Sequence, residues 1–253
     1  MARFIDTELS GSARLVALTD LDLSKARTLA AQLTSPPAVV SLTPLIHRAQ
    51  LVVEAASANV SFHLAQQALE AGRHCLVMSV GGLLGRLEGL KTIARKRGVQ
   101  LLLPSGALAG LDAVKALRGS IRSVTLTTRK PPQALAAAPF VRERGCALED
   151  LREATVIFEG SAQDAVIGFP QNANVAATLA LCTEQPELLR VKIIAVPQAT
   201  VNSHEVCVEG AWGRLTTYLE SAPSLANSKT SAIAIASAQA LLRSMLAPER
   251  IGT

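Results

Sequence analysis

Aromatic residues make up only 3% of this 253-residue chain. Its core must therefore be aliphatic, and the 49% hydrophobic content is enough to build one. Cysteine is equally sparse. Cys75, Cys146, Cys182 and Cys207 lie far apart and form no C-x-x-C pair, which argues against a zinc site, or any metal centre built on thiolates, and against a disulfide framework. A long uncharged apolar run is missing too: the most apolar extended segment, "SAIAIASAQALLRSML" at 231–246, contains Gln239 and Arg243 and reads as a buried helix, not a membrane span. No secretory signal pattern is visible, so the expected compartment is the cytoplasm. The net charge of +5 is scattered apart from "RKRG" at 95–98, which reads as a solvated helix end. With no nucleic-acid-binding motif beside it, that excess suits anionic small molecules and speaks against a nucleic-acid partner.

What is present falls into two patterns. In the first half, "RLVALTD" (14–20), "AVVSL" (38–42), "LVVEAA" (51–56), "HCLVMSV" (74–80) and "VQLLLPSGAL" (99–108) are continuous aliphatic runs. Helix-like stretches at 23–33, 59–72 and 87–98 separate them. Runs of this kind are parallel strands covered on both faces, so residues 1–106 are expected to form an α/β domain, a Rossmann-type doubly wound parallel sheet. From about residue 120 the strand-like segments are 123–130, 154–162, 188–197, 202–210 and 213–221, several alternating polar with apolar. They predict a second, more antiparallel α+β domain over 107–228, with a hairpin at "GAWG" (210–213). Residues 229–253 are expected to form a terminal helix that returns to the first domain.

An acid at the end of the second strand of a dinucleotide-binding unit hydrogen-bonds the adenosine ribose and repels a 2′-phosphate. Asp20 stands at that point, which predicts NAD in preference to NADP, although Asp20, Asp22 or Ser24 would equally serve to cap the following helix. The glycine fingerprint that should precede such an acid by about 20 residues is absent, and "GLLGRLEG" at 82–89 has the wrong spacing and follows the wrong strand. Ahead of "RLVALTD" lies "ARFIDTEL", with Ala2, Ile5 and Leu9 at helical spacing, which reads as the later part of the helix that follows the loop. The expectation is therefore a first strand and loop of about 15 residues missing from the N-terminus, with Met1 a misplaced start. In the usual strand order the gap falls in the middle of the sheet. Strands 15–20 and 51–56 would then collapse together or leave backbone groups unpaired, and the chain would fold poorly and bind NAD weakly.

Six blocks of the chain, "LLLPSGALAGLDA" (101–113), "VTLTTRKPP" (124–132), "VIFEGSAQDA" (156–165), "FPQNANVAATLAL" (169–181), "NSHEVCVEGAWG" (202–213) and "NSKTS" (227–231), resemble the L-aspartate dehydrogenase family in the family's own order. The resemblance implies NAD- or NADP-dependent oxidation of L-aspartate to iminoaspartate, which hydrolyses to oxaloacetate and ammonia or feeds NAD biosynthesis. It places the catalytic histidine on His204, nicotinamide-side contacts on Ala107 and Asn174, and Lys229 and Thr230 in a block that departs from N-P-K-T-S only at Ser228. The implied small-molecule partner is L-aspartate, and homo-oligomer formation is left open. A non-catalytic family member and a dihydrodipicolinate-type reductase are the alternatives.

The chemistry is consistent with these residue types. Amino-acid oxidation by hydride transfer needs a base for the substrate ammonium or an attacking water, and histidine titrates near neutrality. In "NSHEVCVEG" His204, Val206 and Val208 share one strand face, so a half-buried packing histidine fits the same pattern. Two substrate carboxylates call for cations or oriented donors. Lys229 and Thr230, at the expected start of the last helix, can supply them; Arg129 and Lys130 at a strand end are the weaker candidates, since a charged pair there is usually just solvated. Asn174 can cap its helix as well as bind a carboxamide, and "SGALAG" can be a plain tight turn.

Overall fold

The computed structural model describes residues 1–170, 173–224 and 227–249, with the backbone alone at 173, 223, 224 and 227–230. Two compact units are present: Met1–Pro104 with the C-terminal helix from Ala238 onward, and Ser105–Ser237.

The first unit runs α1 (Ala2–Glu8), β1 (Ala17–Leu18), α2 (Leu23–Ala31), β2 (Ala38–Val39), α3 (Leu42–Arg48), β3 (Leu51–Glu54), α4 (Ala58–Glu70), β4 (His74–Val77), α5 (Leu87–Arg97) and β5 (Leu101–Leu102). All its described strand pairs are parallel, in the orders β1-β2 and β3-β4-β5. The alternation of strand and helix, and the parallel pairing, are those the aliphatic runs predict. β4 is central: Cys75, Leu76 and Val77 are fully buried, as are Ala65, Ala68 and Leu69 of α4, which packs on β4. Burial, reinforced by the charge of Glu54, pushes the Cys75 thiol up to about 12, so it is a packing residue and not a nucleophile.

Three details concern the expected gap and the strand ends. First, the sheet is in two parts, the second of the two expected outcomes: β1 and β3 are not paired with one another. Residues 2–8 are helical and 9–12 a turn, and among the described residues no strand precedes Ala17. Instead α1 buries Phe4, Ile5 and Leu9 in a cluster with Leu76 and Leu242, flanked by Leu51 and Val53; Phe4, not Ala2, takes the third apolar position. Second, "AVVSL" is a strand only at its start, because Ser41 opens α3, whose Pro44 sits in the first turn where proline is tolerated.

Third, "LVVEAA" ends as a strand at Glu54, whose side chain turns inward. At 1% exposure its carboxylate accepts from Ala56 N at 2.7 Å and Ser79 N at 2.9 Å. This one acceptor ties together the loops after β3 and β4, at the strand ends where ligands bind in open α/β sheets. Gly82, one of the glycines with the wrong fingerprint spacing, serves packing instead. A Cβ there would lie 2.0 Å from Ala58 O, so glycine lets the turn touch the start of α4.

The second unit runs α6 (Leu111–Ala116), β6 (Ile121–Lys130), α7 (Pro139–Glu143), β7 (Thr155–Ser161), α8 (Ala162–Gly168), α9 (Ala173–Thr183), β8 (Leu189–Ala195), β9 (Asn202–Gly210), β10 (Gly213–Ser221), β11 (Pro223–Ser224), β12 (Asn227–Ser231) and the start of α10 (Ala232–Leu246). Five strands form one sheet in the order β10-β9-β6-β8-β7, antiparallel except for β6 with β8. The expected hairpin closes at Gly210 and Gly213. One face is apolar, with Val124, Leu126, Val191, Ile193, Val206 and Val208 buried, and α8 and α9 pack on its β8 side. The other face carries ion pairs, Arg129 with Glu205 at 3.0 Å and Lys192 with Glu159 at 3.3 Å.

Candidate active site around His204

The apolar face changes character at one end. β6 and β9 pair with Thr128 opposite His204, and β10 places Leu219 on its other side. His204 is 6% exposed, and its Nδ1 lies 3.0 Å from Thr128 Oγ1, itself 4% exposed. When Nδ1–H donates to that hydroxyl, Nε2 keeps the lone pair a general base needs. Burial lowers the His204 pKa to about 4, and the charge of Lys130 acts in the same direction. At neutral pH the imidazole is therefore uncharged and ready to take a proton.

Lys130 ends β6, two residues beyond Thr128, and burial lowers its ammonium to about 8. Its neighbour Arg129 turns to the opposite face and pairs with Glu205. The two residues expected to be a solvated pair thus have separate fates. Lys130 is among the weaker site candidates of the sequence and Thr128 is not a candidate at all, yet Val124, Leu126, Thr128 and Lys130 alternate along one strand face, and that spacing was the available signal.

The depressed histidine has a consequence for stability. The unfolded chain takes a proton near 6.5 and the folded one near 4, so protons favour unfolding as pH falls between those values. Urea unfolding is expected to show a loss of about 2–3 kcal/mol between pH 7 and 4.5 that His204→Gln removes. An unchanged pH slope in that variant would show that His204 is not held neutral.

The segments named from sequence have these places in the structure. In the loop after β5, Ala107 is 3% exposed, and Gly106 N donates to Ser237 Oγ at 3.0 Å. Ala109 O accepts from Thr217 Oγ1 at 3.3 Å, and Gly110 lies so close that a Cβ would sit 2.9 Å from Thr217 Cγ2. Thr217 shares the face of His204, opposite Val206. Lys229 and Thr230 lie in β12, not at the start of α10, which begins at Ala232; their side chains lie outside the described residues. The hydroxyl of Ser231, at the end of β12, bonds that of Ser221, whose ladder partner Asn202 stands two residues before His204. Asn174 is the second residue of α9 and exposed, within the first turn. α9 packs on β8 and enters it through the short turn Pro186–Leu188, so it runs back along that strand and its first turn points toward the Ala195 end.

In the first unit, the cap of α2 is Asp22, which accepts from Ser24 N at 3.0 Å. Asp20 is not that cap: it stands exposed beyond β1 and accepts from Asp22 N at 2.9 Å. An exposed carboxylate at the carboxyl end of a parallel strand suits the ribose hydroxyls of a dinucleotide.

A parallel α/β unit with an acid beyond its first strand pair, followed by a mixed sheet carrying a buried neutral histidine, defines a two-domain nicotinamide-dependent dehydrogenase. Family descriptions agree: residues 1–104 match "Homoserine dehydrogenase, NAD binding domain" and residues 112–245 match "Aspartate dehydrogenase, C-terminal". L-aspartate dehydrogenase of Methanosarcina mazei is 44% identical over 95% of this chain and 90% of its own, and that of Methanocella arvoryzae 41% identical over 100% and 94%. The chain belongs to the aspartate dehydrogenase family. Its fold is also that of the crystal structure of aspartate dehydrogenase from Thermotoga maritima, with a TM-score of 0.72 at 22% identity over 95% of this chain and 100% of that one. Among the described residues no helix is long and apolar enough to cross a membrane.

Proposed function

We propose that this protein oxidises L-aspartate to iminoaspartate with NAD(P), and that His204 is its general base. The observation that carries this reading is the buried, uncharged imidazole held by Thr128 on the sheet face that the 105–110 loop meets at Thr217. Bound NAD(P) supplies the hydride acceptor. His204 takes a proton from the substrate ammonium or from the water that attacks the imine, and an environment that disfavours its charge helps it return that proton. Ala107 and Asn174 are proposed to line the nicotinamide side, Asp20 to bind the adenosine ribose, and Lys229 and Thr230 to hold a substrate carboxylate. The relatives of 41–44% identity, which share nearly the whole length and are named for L-aspartate, support the choice of substrate. Incubation of the purified chain with NAD and L-aspartate, compared with L-alanine and L-glutamate, is expected to yield reduced nicotinamide with L-aspartate alone. Equal rates with all three would sink the assignment.

A further inference from the structure

The first unit buries an acid that the proposed reaction does not use. Glu54, the last residue of β3, is 1% exposed, and each of its carboxylate oxygens accepts a backbone N–H: Oε1 that of Ala56, Oε2 that of Ser79. An amide in its place could accept at only one of these positions, so the arrangement calls for a carboxylate. β3 and β4 are parallel neighbours, and the loops after them therefore leave from the same end of the sheet. A second side chain ties the same segments together. Ser61 of α4 is fully buried, with its hydroxyl 3.0 Å from Ser79 O and 3.2 Å from Ala58 O.

What these bonds hold in place is not core. Residues 55–57 are exposed, and Met78 and Ser79 are partly so. Apolar burial does little to fix such loops, and a carboxylate withdrawn from water, a costly arrangement, fixes them instead. The carboxyl ends of parallel strands are where open α/β sheets take their ligands, and the ligand of this unit is NAD(P). We propose that Glu54 is a positioning residue for NAD(P), which sets the loops after β3 and β4 in the arrangement that receives the dinucleotide before it arrives. Glu54 acts through the backbone of Ala56 and Ser79. Loops ordered in advance take their ordering cost out of the binding step, which raises affinity. This inference rests on the use of NAD(P) and not on the choice of L-aspartate as substrate.

The test titrates NAD calorimetrically into the full chain and into Glu54→Gln, whose amide keeps one acceptor and turns an N–H against the other donor. The variant is expected to bind NAD about 5–50-fold more weakly, because loss of one buried hydrogen bond shifts the loops away from the receiving arrangement. A merely structural role would lower Tm and the fraction of protein able to bind while leaving Kd unchanged, and that result overturns the proposal. Leu69→Ala, a cavity at the far end of α4, is the control: it is expected to lower Tm without weakening NAD. An equal loss of affinity in both variants counts against Glu54. A second measurement needs no variant and decides the matter if Glu54→Gln does not fold. In the unmodified chain, NAD is expected to slow amide exchange across 55–57 and 78–80, followed by mass spectrometry of peptides. NAD that binds and slows neither loop overturns the proposal, and a chain that takes up no NAD overturns it together with the cofactor assignment. Parallel assay with L-aspartate separates the two claims, since these results without L-aspartate oxidation would leave the role of Glu54 standing and overturn the assigned substrate.

Discussion

Replacing His204 with alanine is expected to lower kcat for L-aspartate by about 10²–10⁴-fold, the usual contribution of a positioned general base, while the affinity for NAD is nearly unchanged. The expectation follows from three features of the site. The ring is almost completely buried, so bulk water cannot substitute for it as a proton acceptor. Its Nδ1 is fixed by Thr128, which aims the ring and leaves the second nitrogen for the substrate. Its pKa near 4 means that the base form is fully populated at neutral pH, so kcat/KM should not fall on the acid side until well below the ordinary histidine value. Steady-state rates of the alanine variant, with NAD binding measured separately, check both halves. Unchanged turnover would show that His204 is a packing residue.

The second large effect is expected at Asp20. Alanine there should weaken NAD by about 10–100-fold through loss of a charge-assisted contact to the ribose, and should improve NADP by removing repulsion of its 2′-phosphate. The structure bears on this by separating two roles that the sequence left mixed. Asp22 caps α2, and Asp20 is left exposed at the strand end. Comparison of kcat/KM for the two cofactors in both proteins measures the shift. A ratio unaltered by the substitution would limit Asp20 to supporting the turn at Asp22.

The second unit was the more legible half. Its strands are nine or ten residues long in β6, β9 and β10, and alternate polar with apolar, so period and register can be read directly from the sequence. The first unit has strands of two to four residues. Such short aliphatic runs say that a strand exists but not where it stops, and α3 hides in one because a leucine-rich segment fits either state. What pairing alone reveals was not legible. That Thr128 faces His204 depends on the register of β6 against β9, 76 residues away in sequence. Likewise the separation of Lys130 from Arg129 depends on which face each takes. Glu54 carries no signal in the sequence, because its two partners are backbone N–H groups, which leave no mark on composition.

The central claim is that this chain moves the Cα hydrogen of L-aspartate to a nicotinamide at the His204 site. Incubation with L-aspartate deuterated at Cα, NAD and the purified protein, followed by mass spectrometry of the dinucleotide, tests it most directly. Deuterium in the reduced nicotinamide, lost in His204→Ala, is the expected result. Reduced nicotinamide without deuterium, or none above a substrate-free control, would contradict it.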